Sequence, residues 1–227
     1  MIQIPRLYPI LDSACFPSTD ALLAAAEELA ATGCTLIQYR NKSGNARVML
    51  EQARELKRRL ASGSHVSQRR RDAGHPLVKS STAGNPVTLI MNDRADLCLA
   101  AGFDGVHVGQ EDLSPESVRR IIGPDRWLGV STHNPEQLRE ADRTSADYLA
   151  IGPVFATSSK EKPDPVVGLE GVRRARTLTR KPLVAIGGIS RANAASVIEV
   201  GADSVAVISD LLRERGKSAE EFFRILG

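Results

Sequence analysis

The chain has no apolar run approaching the roughly 20 residues of a membrane-spanning helix. Its first residues, Met1-Ile2-Gln3-Ile4-Pro5-Arg6, also lack the charged-then-apolar layout of an export signal. Cysteine is scarce. Cys15, Cys34 and Cys98 are odd in number, scattered and without metal-ligand spacing, so the expectation is a reducing, cytoplasmic compartment in which Cys34 and Cys98 serve as small core residues. A surplus of one charge is missing too. The net charge is +3, part of it lies in Arg69-Arg70-Arg71, and neither nucleic acid nor membrane is an expected partner. There is no Ser-His-Asp arrangement, no Walker loop and no redox motif.

What is present is a rhythm. Short β-rich runs alternate with amphipathic helices, and 227 residues suffice for one large core. Strands are expected at Leu7–Leu11, Thr35–Tyr39, Val87–Met91, Gly105–Val108, Trp127–Val130, Tyr148–Ile151, Leu183–Ile186 and Ser204–Val207. Helices are expected near Thr19–Ala31, Ala46–Leu60, Ala95–Ala101, Pro115–Ile122, Pro135–Arg143, Leu169–Leu178, Ala192–Val200 and Ala219–Leu226. Gly33, Gly102 and Gly201 each follow a helix and lead into the next strand, as a left-handed C-terminal residue does. Strands apolar throughout fit a parallel sheet covered on both faces. Eight such units in a chain of this length predict a (β/α)8 TIM barrel, one catalytic domain over 1–227. One stretch interrupts it: Ala61 to Pro86, rich in Ser, Gly, Arg and Lys, reads as a flexible insertion on the face opposite the expected site.

Barrel active sites use residues that follow the strands. Asp93 and Asp112 follow the third and fourth strands, so both carboxylates leave the same sheet edge. Two hard oxygen ligands there suit Mg²⁺ with substrate phosphates; the plainer alternative is that both cap helices. After strand two, alternation groups Gln38, Arg40 and Lys42 on one face, a set suited to polyphosphate. Asn92 follows strand three, and Ser131 follows strand five with a hydroxyl for a ligand. His107 reads as a hydrogen-bonded interior residue and His133 as helix-start packing. After strand six, Thr157, Ser158, Ser159 and Lys160 form an oxyanion cradle within a lid-like loop. After strands seven and eight, Gly187-Gly188 and Ile208-Ser209 form a monophosphate site at helix starts. A metal-bound diphosphate facing a phosphorylated partner suggests that diphosphate is the leaving group.

These motifs, in order, resemble the thiamine phosphate synthase family: Gln38-Tyr39-Arg40-Asn41-Lys42, Asn92-Asp93-Arg94, His107 to Asp112, Gly129-Val130-Ser131, Gly152 to Phe155, Thr157 to Lys160 and Gly187-Gly188-Ile189. The resemblance implies a transferase of thiamine biosynthesis. It would join 4-amino-2-methyl-5-(diphosphooxymethyl)pyrimidine to 4-methyl-5-(2-phosphooxyethyl)thiazole, giving thiamine phosphate and diphosphate by a dissociative substitution. By position, Gln38, Tyr39, Arg40, Asn41, Lys42, Asn92, Ser131 and Lys160 would hold the pyrimidine diphosphate, with Arg40, Ser131 and Lys160 as the catalytic set. Thr157, Ser158, Ser159, Gly188, Ile208 and Ser209 would meet the thiazole phosphate, and Asp93 and Asp112 one Mg²⁺ per subunit. Position 159 is Ser where the family usually has Thr, and the insertion is longer than usual. The implied partners are small-molecule substrates, and homo-oligomerisation stays open. Two rivals remain: a thiazole tautomerase-like paralogue, for which His133 would be the base, and a non-catalytic thiamine-phosphate-binding regulator.

Overall fold

A computed structural model describes residues 2–62, 86–157, 164–212 and 214–227. The strands are β1 (Leu7–Asp12), β2 (Leu36–Arg40), β3 (Thr88–Asn92), β4 (Gly105–Val108), β5 (Trp127–Thr132), β6 (Tyr148–Ile151), β7 (Leu183–Ile186) and β8 (Ser204–Val207). Each pairs in parallel with the next, and β8 returns to β1 through Leu7 opposite Val205, closing the barrel. The (β/α)8 expectation holds.

The helices are α1 (Thr19–Ala31), α2 (Ala46–Ser62), α3 (Ala95–Ala101), α4 (Pro115–Ile122), α5 (Pro135–Asp142), α6 (Gly168–Leu178), α7 (Ala194–Glu199), α8 (Ser209–Leu212) and α9 (Arg215–Leu226). Local chemistry sets their ends. Ser114 Oγ accepts from Ser117 N and Asn134 Oδ1 from Gln137 N, each with Pro at the first helical position. Gly102 closes α3 in the left-handed conformation, φ 68°, from which the chain turns directly towards β4.

Two apolar cores result. The outer one fills the space between strands and helices with residues such as Leu11, Leu23, Ile37, Val106 and Leu149. The inner one fills the barrel with Tyr8, Ile10, Leu36, Ile90, Tyr148, Ala150, Val184 and Ala206. Strands covered on both faces have no polar side, which is why they read as unbroken apolar runs.

The differences from the expected bounds are informative. β1, β2, β3 and β5 run on to Asp12, Arg40, Asn92 and Thr132, because pairing continues past the apolar residues: Asp12 lies opposite Arg40, Asn92 opposite His107 and Thr132 opposite Ile151. Polar residues at the barrel mouth therefore stand on strands. α2 continues to Ser62, past the expected start of the insertion at Ala61, and residues 63–85 lie outside those described. α7 starts at Ala194 rather than Ala192, because Asn193 Oδ1 accepts from Ser190 N in a turn before it. The expected last helix starts at Arg215 rather than Ala219, and α8 precedes it.

Candidate active site

The C-terminal mouth of the barrel opens into a cavity lined by residues from β1 to β8. Alternation along β2 divides its polar segment in two. Gln38 and Arg40 face the cavity; Gln38 is 3% exposed and donates through Nε2 to Tyr8 Oη at 2.9 Å, while Arg40 pairs with Asp12. Tyr39 and Asn41 face α2 instead. Tyr39 Oη donates to Gln52 Oε1 at 2.6 Å and Asn41 Nδ2 donates to the same oxygen at 3.0 Å. Of the eight residues expected to hold the pyrimidine diphosphate, these two therefore have side chains beneath the helix. Asn41 still shapes the rim, since its Oδ1 accepts from Ser43 N at 2.8 Å.

Lys42 reaches across to Asp93. Asp93 is the one non-glycine residue with positive φ among the described residues, at 62°. It is held there by Asp93 N donating to His107 O at 2.8 Å. Such a conformation costs on the order of 1–3 kcal/mol and is typical of functional positions. Neither aspartate caps a helix: α3 has no side-chain cap, α4 uses Ser114, and Asp112 Oδ2 accepts from Gly109 N at 2.7 Å. Burial, with the neighbouring Asp112 charge, pushes the Asp93 carboxyl above its usual value, against the pull of Lys42. Two carboxylates whose charges oppose one another make a place that a cation relieves. No group of three or more His, Cys, Asp or Glu able to hold a metal occurs among the described residues. An ion on Asp93 and Asp112 would thus take its other ligands from substrate or water, which fits Mg²⁺.

Asn92 lines the cavity, and its buried Nδ2 has no hydrogen-bond partner. Leaving such a donor unmade costs about 1–3 kcal/mol, which an acceptor on a ligand would recover.

Deeper in the barrel, hydroxyls and an imidazole are linked in series. Tyr8 Oη lies 2.9 Å from Tyr148 Oη, which lies 3.0 Å from His107 Nδ1; His107 Nε2 lies 2.8 Å from Ser131 Oγ. Burial lowers the His107 pKa to about 4, so the ring is neutral at physiological pH. Gly129 makes the arrangement possible, since a Cβ there would fall 2.1 Å from Tyr148 Cζ and 2.4 Å from His107 Nδ1. Sequence reasoning placed His107 in the interior but missed Tyr8 and Tyr148; the available signal was alternation along β1 and β6, which turns both rings inward.

On the opposite side, Thr157, Gly188, Ile208 and Ser209 line the same cavity as Gln38, Arg40, Asn92 and Ser131. Gly187 and Gly188 have φ of 98° and 64°, and a Cβ on Gly188 would meet Ala156 O at 2.5 Å, so this turn lies directly against the loop after β6. His133 also lines the cavity rather than serving only helix packing: Nδ1 donates to the Gly152 carbonyl at 2.6 Å, and Nε2 lies 3.5 Å from Asp164. Ser158, Ser159 and Lys160 lie outside the described residues.

Comparison with known proteins agrees with this geometry. A sequence profile for thiamine monophosphate synthase matches residues 64–211. The thiamine-phosphate synthase of Koribacter versatilis is 55% identical over 228 residues, covering 99% of this chain and 97% of its own. That of Chloroflexus aurantiacus is 41% identical, covering 90% and 83%. Among solved structures, the thiamine phosphate pyrophosphorylase of Pyrococcus furiosus superposes with a TM-score of 0.77 at 31% identity, covering 97% of this chain and 95% of that one. With that coverage and identity, the chain belongs to the thiamine phosphate synthase family, transferases of thiamine biosynthesis carried on a TIM barrel.

Proposed function

We infer that this barrel, acting as one catalytic domain, transfers the aminopyrimidine methyl group from its diphosphate to the nitrogen of 4-methyl-5-(2-phosphooxyethyl)thiazole, releasing diphosphate and thiamine phosphate. The observation that carries the assignment is the two-sided mouth. On one side stand Arg40, Lys42, the unpartnered Nδ2 of Asn92 and the neighbouring carboxylates of Asp93 and Asp112. On the other stand Thr157, Gly188 and Ser209. A cationic, metal-suited rim fits a diphosphate; a rim of glycine backbone and hydroxyls fits a monophosphate.

Substitution proceeds by cleavage of the bond between the methylene carbon and the diphosphate oxygen. The aminopyrimidine delocalises the resulting positive charge, and the thiazole nitrogen adds its lone pair to the methylene. Mg²⁺ held by Asp93 and Asp112 would supply charge compensation for the departing diphosphate. Arg40 and Lys42 add positive charge along the same path, Lys160 is assigned to the diphosphate as well, and Asn92 donates to a diphosphate oxygen. Gln38 and Ser131 orient the pyrimidine; Thr157, Ser158, Ser159, Gly188, Ile208 and Ser209 seat the thiazole phosphate. No proton leaves carbon in this step, which agrees with a His107 whose pKa, lowered to about 4 by burial, makes it a weak base. We place the chain in the cytoplasm, with small-molecule partners; among the described residues no helix is long and apolar enough to cross a membrane.

The test is diphosphate release by purified protein given both substrates with Mg²⁺. Release with both and none with either alone is expected. Equal release with the pyrimidine substrate alone would make the protein a hydrolase instead.

A further inference from the structure

The barrel interior holds more organised polar chemistry than charge stabilisation requires, and its hydrogen bonds form one continuous series. Gln38 Nε2 is a donor, and Tyr8 Oη accepts from it at 2.9 Å. The Tyr8 phenol proton has Tyr148 Oη within reach at 2.9 Å. Tyr148, accepting from Tyr8, is then placed to give its own proton to His107 Nδ1, 3.0 Å away. With Nδ1 accepting, a neutral imidazole carries its proton on Nε2 and donates it to Ser131 Oγ at 2.8 Å. Ser131 Oγ has no other partner among the described residues, and its own proton is left facing the cavity that Ser131 lines.

We propose that Gln38, Tyr8, Tyr148 and His107 form a relay that fixes Ser131 as a hydrogen-bond donor to a ring nitrogen of a heteroaromatic substrate. Ser131 touches the substrate; His107, Tyr148 and Tyr8 are positioning residues that act through it. This rests on the function proposed above, in which the aminopyrimidine occupies the floor of the cavity. A serine without such a relay rotates freely and is equally ready to accept from an exocyclic amine as to donate to a ring nitrogen. With the relay, one of those two roles is selected before the substrate arrives, which favours a heterocycle offering an acceptor at that edge. The packing guards the arrangement. Tyr8 and Tyr148 meet edge to face at 6.1 Å, Tyr148 and His107 lie 5.5 Å apart, and no room remains at Gly129 for a methyl group.

The direction of the relay is measurable without substrate. The whole chain would be labelled with ¹⁵N-histidine, and the His107 signals identified by their loss in His107→Gln. A protonated Nε2 with a bare Nδ1 is expected at neutral pH. A proton on Nδ1, as a reversed Gln38 amide would impose, or on both nitrogens, overturns the proposal. Kinetics then test the route through Ser131. Tyr148→Phe is expected to raise KM for the pyrimidine diphosphate about five- to tenfold, the scale of one neutral hydrogen bond, and to leave KM for the thiazole phosphate unchanged. In a Ser131→Ala background the same substitution should change nothing further, because coupled residues are non-additive. An equal effect in both backgrounds would show that Tyr148 acts through general packing and would sink the relay. Failure of the wild-type chain to release diphosphate would reject the assigned reaction while leaving the ring-proton result standing, so the two failures are distinguishable.

Discussion

At the scale of single residues, Asp93 joins strain to chemistry. Its left-handed backbone suits glycine better than any residue with a Cβ, yet the position carries the carboxylate that faces Lys42 and Asp112. Asp93→Gly should therefore stay within about 1 kcal/mol of the parent in denaturant unfolding, relief of strain offsetting the added chain entropy. It should still lose Mg²⁺-dependent diphosphate release by a factor on the order of 100 or more. Asp93→Val should lose both. A destabilised glycine variant would show that the φ of 62° carries no strain. His107 makes a second residue-scale prediction. Its pKa is about 4 in the fold against an ordinary value of 6.5. Above pH 6.5 the ring is neutral in both states and costs nothing. As pH falls from 6.5 towards 4 the unfolded chain takes up a proton first, so stability declines by about 3 kcal/mol across that window. The decline should be shallower in His107→Gln, measured by urea unfolding at pH 7, 5.5 and 4.5. Identical slopes would mean that other groups govern acid sensitivity.

At the scale of elements, the rhythm of strands and helices was legible because each strand is apolar on both faces and each helix on one. The ends were less so. A reading by apolar runs stops where side chains turn polar, yet β2, β3 and β5 continue into Arg40, Asn92 and Ser131, which face the ligand cavity, and β1 into Asp12, which pairs with Arg40. Gln38, Arg40, Asn92 and Ser131 thus lie on paired strands, more rigid than loop residues would be. Alternation on β2 was legible for Gln38 and Arg40, whereas grouping Tyr39 and Asn41 with them followed from the family motif, and both side chains lie beneath α2. Tyr8 and Tyr148 were passed over because a tyrosine in an apolar run reads as core; only the closed barrel brings β1 and β6 face to face across its axis. The interior also predicts the cost of disturbing β5. Gly129→Ala would push a methyl into the Tyr148 ring and His107, and overpacking of this kind costs about 1–3 kcal/mol. The expected result is a lowered unfolding midpoint together with a raised KM for the pyrimidine substrate. A variant unchanged in both would mean that β5 shifts freely away from β6.

At the scale of the whole molecule, the barrel separates its two ends by task. Ligand-facing groups gather where strands end, while the opposite end is closed by Ile2, Ile4 and Trp127 packed against the inner core. α2 finishes at Ser62 and β3 begins at Thr88, so the chain between them departs from and returns to the closed end. Nothing among the described residues ties the catalytic mouth to that end except the barrel itself, whose register is set by pairing along all eight strands. Replacing residues 64–84 with a short Gly/Ser linker should therefore leave the unfolding transition cooperative and kcat/KM within about threefold, since both flanking elements meet the segment at the end away from the chemistry. Circular dichroism and diphosphate release would check the two halves of that statement. A folded variant with turnover abolished would mean that the excised segment supplies groups to the reaction, and the division of the barrel into a working mouth and a structural floor would have to be given up.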